Sequence, residues 1–410
     1  MWKPWQGRGD LPMHNNILDQ LTDYPFDRLR ALLRDAEPPD DRPQIHMQIG
    51  EPKHAPPDFI GPILVDNLAD WGRYPPPNGP EALREAIAEW LARRYALPAG
   101  MIDPAHNIAV VSGTREALFM AALLAVPEQK AGAKPVVLMP NPFYQVYVGA
   151  AAMARAETVL LPAGPETGFQ PDFTALDPTI LERTALAYLN SPANPQGSIA
   201  DLEMLATAIG LARQYDFVLA VDECYSEIYT AAAPPGGLSA CAKIAAGCGN
   251  VLVFHSLSKR SNVPGLRSGF VAGDPDLVAL LLRLRQYGGA QLPLPVMNAS
   301  QALWRDEDHV EHSRALYREK FDVALEILDG AFGATRPGGA FYLWLDVGDG
   351  AAAAERLWRE ASVRVLPGEY LAQTDAAGGN PGRRFIRVAL VHDIETTRDA
   401  INRIYETLGP

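Results

Sequence analysis

Seven short apolar runs, none of them alternating, punctuate the middle of the chain: NIAVVSG (107–113), PVVLMP (135–140), TVLLP (158–162), TALAYLNSP (184–192), FVLAVDE (217–223), NVLVFHS (250–256) and SGFVAGD (268–274). A strand with one wet face alternates apolar and polar side chains, so a continuous run needs cover on both faces. Helical segments lie between most of these runs. The pattern therefore predicts a doubly wound α/β domain around a mostly parallel sheet of seven strands. Beyond about residue 298 the pattern changes to one long helix over SQALWRDEDHVEHSRALYREKFDVALEILDG, then AFYLWLDV and FIRVALV, which read as a smaller α+β domain. Two more amphipathic helices are expected, at YPFDRLRALLRDA (24–36) and at PEALREAIAEWLARRY (80–95), where Pro80 suits a first turn. The expected boundaries are an N-terminal arm at 1–15, a small domain from 16–50 with 298–410, and a large domain at 51–297. The Ala/Gly-rich stretches 231–249 and 374–382 read as loops.

Composition removes several classes of function. With 410 residues, 48% hydrophobic and 21% charged, the chain can bury a substantial core. A net charge of −13 argues against a general nucleic-acid or anionic-membrane surface. Cys224, Cys241 and Cys248 are odd in number and lack metal-site spacing, so neither a disulfide framework nor a metal centre is expected, and a reducing cytoplasm fits. No uncharged apolar run has the length of a membrane span.

In a parallel sheet, ligands bind beyond the carboxyl ends of the strands, so the residues that end each run are the ones to examine. SGTREAL places Gly113, Thr114 and Arg115 at a helix start, where free N–H groups favour a phosphate; the same letters also make an ordinary cap. Tyr144 in NPFYQVY offers an aromatic plate or plain packing. Asn194 in NSPANPQG lies in a stiff turn that could present its amide or be an ordinary loop. Asp222 ends an apolar run, and a carboxylate buried there requires a cation or donors beside it. Tyr225 follows closely. In HSLSKRSNVPGLRSG, Lys259 sits at a strand end, where desolvation lowers an amine's pKa and makes it a nucleophile and proton carrier; Ser256 and Arg267 flank it as phosphate ligands. Together these groups meet the needs of pyridoxal 5'-phosphate: an anchor, a stacking face, a partner for the pyridine nitrogen, a donor to O3′ and an imine-forming amine.

From about residue 20 onward the chain resembles the class I/II aminotransferases of the fold-type I pyridoxal-phosphate superfamily. The motifs that carry the likeness are IGEP, RYPPPNGPEALREAIA, SGTREAL, NPFYQVY, NSPANPQG, DECYSEIY, HSLSKRSNVPGLRSG and FIRVALV. The resemblance implies that Lys259 is the Schiff-base lysine and proton shuttle, that Asp222 holds the pyridine nitrogen, and that Tyr225 and Asn194 bond the O3′ side. It further implies that Tyr144 stacks on the ring and that Gly113, Thr114, Arg115 (through its N–H), Ser256 and Arg267 hold the phosphate. Arg387 would clamp the α-carboxylate beside the backbone at Gly50, and Tyr74 would reach a partner's cofactor phosphate in a homodimer with shared active sites.

The wording of YPFDRLRALL, IGEPKH, DECYSEIY and SLSKRSNVPGLRSGFVAGD is similar, more narrowly, to N-succinyldiaminopimelate aminotransferases of lysine biosynthesis. The expected partners are then an amino acid and a 2-oxo acid, N-succinyl-LL-2,6-diaminopimelate and 2-oxoglutarate, with Lys53 and Arg260 as the cations for their outlying carboxylates. Either residue could instead be a solvated surface charge. The alternatives are another aminotransferase of the class, with an aromatic, aliphatic or ornithine-type substrate, a pyridoxal-phosphate C–S lyase, and an effector-binding regulator.

Overall fold

The computed structural model describes residues 15–245, 247–375 and 378–409. The arm expected over 1–15 lies outside them apart from Asn15. In chain order the strands are β1 (Ile45–His46), β2 (Ile108–Val111), β3 (Val136–Asn141), β4 (Glu157–Pro162), β5 (Thr184–Asn190), β6 (Val218–Asp222), β7 (Val251–Ser256), β8 (Gly269–Gly273), β9 (Tyr342–Asp346), β10 (Val363–Arg364), β11 (Leu366–Pro367) and β12 (Phe385–Ala389). Every one of the seven apolar runs is a strand of one sheet, ordered β2-β8-β7-β6-β5-β3-β4. Only β8 runs antiparallel to its neighbours β2 and β7. Strands β2, β3, β5, β6 and β7 are buried along their whole length, which is the reason their sequences do not alternate.

Helix Glu81–Tyr95 covers one face with Leu83, Ile87, Trp90 and Leu91. Helices Thr114–Ala125 and Gln145–Met153 cover the other, with Leu118 and Tyr147 in the core among Tyr188 and Phe254. At the carboxyl ends of β3, β5, β6 and β7 the apolar run gives way to a polar side chain: Asn141, Asn190, Asp222 and Ser256. Asn190 of β5 pairs in register with Asp222 of β6, which pairs in turn with Phe254 of β7, two residues before Ser256.

The single helix expected over 300–330 is two helices, Leu294–Arg305 and Asp308–Leu328. The chain breaks at Asp306, whose carboxylate accepts the N–H of His309 at 3.1 Å. The first helix stays under the large sheet, where Trp304 packs on Trp90 at 4.8 Å between ring centroids. The second crosses to the smaller sheet, β11-β12-β9, and sets Phe321, Ala324 and Leu328 against Leu343 and Ile386. Strand β1 pairs with β10, and helix Pro25–Leu32 packs Leu29 among Trp358, Leu366 and Tyr370, so the N-terminal segment rests on the C-terminal third of the chain. Among the described residues no helix is long and apolar enough to cross a membrane.

Candidate active site

A cavity of about 540 Å³ opens beyond the carboxyl ends of β5, β6 and β7, walled on its far side by the segment Ile49–Glu51, by β9, β11 and β12, and by the start of helix Pro25–Leu32. Asp222 forms its floor. One oxygen of that buried carboxylate accepts the Tyr147 hydroxyl at 2.6 Å and the other the N–H of Cys224 at 3.2 Å. Burial still pushes its carboxyl above the usual range, so the site invites a positive ligand atom opposite it. Tyr147 is fixed in turn by stacking on Tyr188 at 4.4 Å. Above the floor, Asn190 donates to the Asp222 carbonyl at 2.9 Å and accepts the N–H of Asn194 at 2.7 Å, so one amide presents the other.

Arg387, on β12, is buried and donates to Asn194 Oδ1 and to the Gln48 carbonyl, both at 2.8 Å. Its guanidinium lies 4.3 Å over the Tyr342 ring, and its Nε has no hydrogen-bond partner among the described residues. Lys259 faces the same space, and its Nζ donates to the Gly50 carbonyl. Burial lowers its pKa to about 8, with the charges of Arg387 and Arg115 acting in the same direction. The hydroxyls of Tyr225 and Tyr342 share a hydrogen bond of 2.8 Å beside it.

The remaining wall is an anion cradle. Gly113 takes φ +88° ahead of helix Thr114–Ala125, and a β-carbon there would sit 2.1 Å from an Arg267 nitrogen. Only glycine lets the guanidinium approach the helix N-terminus so closely. Ser256 and Ser258 line the cavity next to it. Tyr144 stands edge-on to Tyr147 at 5.7 Å, and its hydroxyl accepts Arg115 Nε at 2.8 Å.

Residues 42–404 match the family described as Aminotransferase class I and II. The chain is a class I/II aminotransferase. It is 31% identical over 391 residues to the 4-dedimethylamino-4-oxo-anhydrotetracycline transaminase OxyQ of Streptomyces rimosus, covering 94% of this chain and 99% of that protein. An LL-diaminopimelate aminotransferase of Moorella thermoacetica is 29% identical over 89% of this chain and 91% of its own length. Among solved structures, an aminotransferase from Neisseria meningitidis Z2491 superposes with a TM-score of 0.91 at 41% identity, covering 96% of this chain and all of that one.

Class I/II aminotransferases use pyridoxal 5'-phosphate, and the donor set fits it: a helix N-terminus with an arginine and two serines for the phosphate, and a buried carboxylate with raised pKa for the ring nitrogen. Of the residues expected at the aminotransferase site, Gly50, Thr114, Arg115, Tyr144, Asn194, Asp222, Tyr225, Ser256, Lys259, Arg267 and Arg387 line this one cavity, and Gly113 abuts it through Arg267. Tyr74 is fully exposed and lies outside the cavity lining.

Two expectations are corrected. Arg260, expected to face substrate, is 2% exposed and bonds away from the cavity, to the carbonyls of Leu303 and Asp306 and to Glu307 at 2.7 Å. Successive residues on a helix are turned by about 100°, so the neighbour of Lys259 on helix Leu257–Arg260 points elsewhere. Lys53, expected in the same role, lies at the surface 3.3 Å from His392 Nε2 and is not part of the lining. Sequence reasoning passed over Tyr147, Asn190, Ser258, Cys224, Glu51 and Tyr342. Asn190 and Ser258 stood inside quoted motifs and end or follow strands, a usable signal; Tyr342 carries none, because its role arises from a contact between distant strands.

Proposed function

We propose that this aminotransferase exchanges an amino group between N-succinyl-LL-2,6-diaminopimelate and 2-oxoglutarate in the cytoplasm, as a homodimer with shared active sites. The observation that carries the substrate reading is the position of Tyr24, Pro25 and Phe26 on the cavity wall. They belong to YPFDRLRALL, part of the wording that resembles the succinylated-substrate enzymes, so the likeness extends into the site itself. The dimer reading is supported by the exposure of Val65, Leu68, Trp71 and Tyr74 along one segment.

In this reading Gly113, Thr114, Ser256, Arg267 and the Arg115 N–H hold the cofactor phosphate, Tyr144 covers the ring, and Asn194 and Tyr225 bond the O3′ side. Asp222 holds the protonated ring nitrogen. The bound cofactor supplies an electron sink for the pair released at the substrate Cα. Arg387 grips the α-carboxylate with two N–H groups, which fixes the Cα–H bond relative to Lys259. Lys259, with its pKa lowered to about 8, takes the proton from Cα as a neutral amine. Glu51 and the tyrosine hydroxyls complete a wall able to take a long polar substrate.

Relatives described as LL-diaminopimelate aminotransferases favour a second reading, in which the donor is free LL-diaminopimelate. An absorbance titration separates the two. Glutamate should convert the visible band of the holoenzyme to the pyridoxamine form, N-succinyl-2-amino-6-oxopimelate should restore it, and both changes should vanish in Lys259→Ala. Restoration only by the unsuccinylated oxo acid would replace the proposal with the second reading, and a band indifferent to glutamate would remove both.

A further inference from the structure

We propose that Tyr342 is a positioning residue of the site: its hydroxyl directs the proton of Tyr225 toward the cofactor's O3′, and its ring seats the Arg387 guanidinium for the substrate α-carboxylate. This rests on two assignments of the proposed function, Tyr225 at O3′ and Arg387 at the carboxylate. Tyr342 opens β9, is 2% exposed and lines the cavity. The sheet register puts it there. Strand β12 runs antiparallel to β9 with Arg387 opposite Trp344, so Tyr342, two residues from Trp344 and on the same face, stands diagonal to Arg387. Long side chains meet across such a diagonal, and the guanidinium lies 4.3 Å over the Tyr342 ring. That contact uses the face of the ring and leaves the hydroxyl to reach the Tyr225 hydroxyl at 2.8 Å. Gly50 is the third neighbour, since a β-carbon there would collide with the Tyr342 oxygen. One phenol thus meets the residues assigned to the carboxylate, to O3′ and to the backbone that receives Lys259.

Counting protons gives the hydroxyl its task. Burial, and then the adjoining Tyr342 hydroxyl, push the Tyr225 pKa well above the ordinary tyrosine range, so Tyr225 is a neutral donor. A hydroxyl donates once. If Tyr225 spent its proton on Tyr342, it would turn a lone pair toward O3′; when Tyr342 donates into the pair, the Tyr225 proton is left for O3′. A negative O3′ selects the second arrangement, and a donor whose own oxygen accepts a hydrogen bond is the stronger for it. The ring has a separate task. Asn194 and the Gln48 carbonyl hold two edges of the Arg387 guanidinium, and the Tyr342 ring holds its plane. Fixed in this way, the guanidinium offers its remaining N–H groups to a carboxylate in one orientation, which is what aligning the Cα–H bond with Lys259 requires.

The test is a double-mutant cycle on the holoenzyme, read as the pH at which its visible band titrates. A donor to O3′ stabilises the form of the bound cofactor that has lost a proton, so weakening that donor moves the titration to higher pH. Tyr342→Phe keeps the ring and deletes the hydroxyl; it should raise the midpoint by about half a unit to one unit, the range of one hydrogen bond. Tyr225→Phe should raise it further, and adding Tyr342→Phe to Tyr225→Phe should raise it no more, because the hydroxyl acts only through Tyr225. A midpoint unmoved by Tyr342→Phe, or moved equally in both backgrounds, would overturn the proposal and leave the reading of Tyr225 standing. A midpoint unmoved by Tyr225→Phe would remove that reading and the proposal together. The ring is tested by the dissociation constant of glutarate, measured by calorimetry: Tyr342→Phe should keep it within about twofold, and Tyr342→Leu should raise it by about three- to thirtyfold. Unchanged binding in Tyr342→Leu would overturn the seat for Arg387, provided that Arg387→Lys weakens glutarate; if Arg387→Lys does not, the carboxylate assignment falls first.

Discussion

Lys259 rests on a carbonyl, that of Gly50, and its neighbours in the cavity include two arginines, so the opposing pull of Cys224 and Glu51 falls short of the desolvation of its charge. The folded-state pKa of about 8 lies below the ordinary lysine value of 10.5. The sign follows directly. Below pH 8 the amine is protonated and has no lone pair, and its neutral fraction falls about tenfold for each further unit. Capture of pyridoxal phosphate by the apoprotein should therefore accelerate as pH rises through about 8 and level off above it, followed as growth of the visible band in a stopped-flow instrument. A capture rate that is flat between pH 6 and 9 would contradict this account of the lysine. Lys259 and Asp222 were legible in the sequence because each stands at or just beyond the end of an apolar run, where a charge demands a reason. Tyr147 and Tyr342 were not. Each acts through a side chain remote in sequence, Asp222 for one and Tyr225 for the other, and no local pattern encodes such a meeting.

The strands were legible for the same reason that they are buried: cover on both faces leaves no polar alternation to blur the runs. The break between helices Leu294–Arg305 and Asp308–Leu328 was not, since neither glycine nor proline marks it and the helical composition continues across it. What holds the corner is tertiary. Arg260 reaches across from helix Leu257–Arg260 to the carbonyls of Leu303 and Asp306 and to Glu307, while its guanidinium lies 5.0 Å over Trp304. Arg260→Ala should thus destabilise the protein by about 2–3 kcal/mol, for two carbonyl bonds lost and a stacked group removed; Glu307 is half exposed and its freed charge adds little. Urea unfolding measures this. A midpoint equal to that of the unaltered protein would show that the corner is maintained by apolar packing alone.

For a molecule of net charge −13, the gathering of Arg115, Lys259, Arg267 and Arg387 in one cavity is a local inversion of the surface field, and it draws anionic substrates to one place. The same molecule leaves Val65, Leu68, Trp71 and Tyr74 uncovered on a segment that runs along helix Leu294–Arg305. In the dimer we propose, this strip is buried against a second copy, and each Tyr74 serves the other subunit's cofactor phosphate. Complementation distinguishes that arrangement from independent subunits. Lys259→Ala and Tyr74→Ala should each be impaired alone. In a mixed dimer of the two, one site combines the intact Lys259 of one subunit with the intact Tyr74 of the other, and the second site carries both defects. Random re-pairing makes half the dimers mixed, so refolding the two variants together in equal amounts should restore about a quarter of the full activity. Subunits that each supply their own Tyr74 would give only the average of the two variants measured separately, and that result would end the shared-site reading while leaving Lys259 and Asp222 in their places.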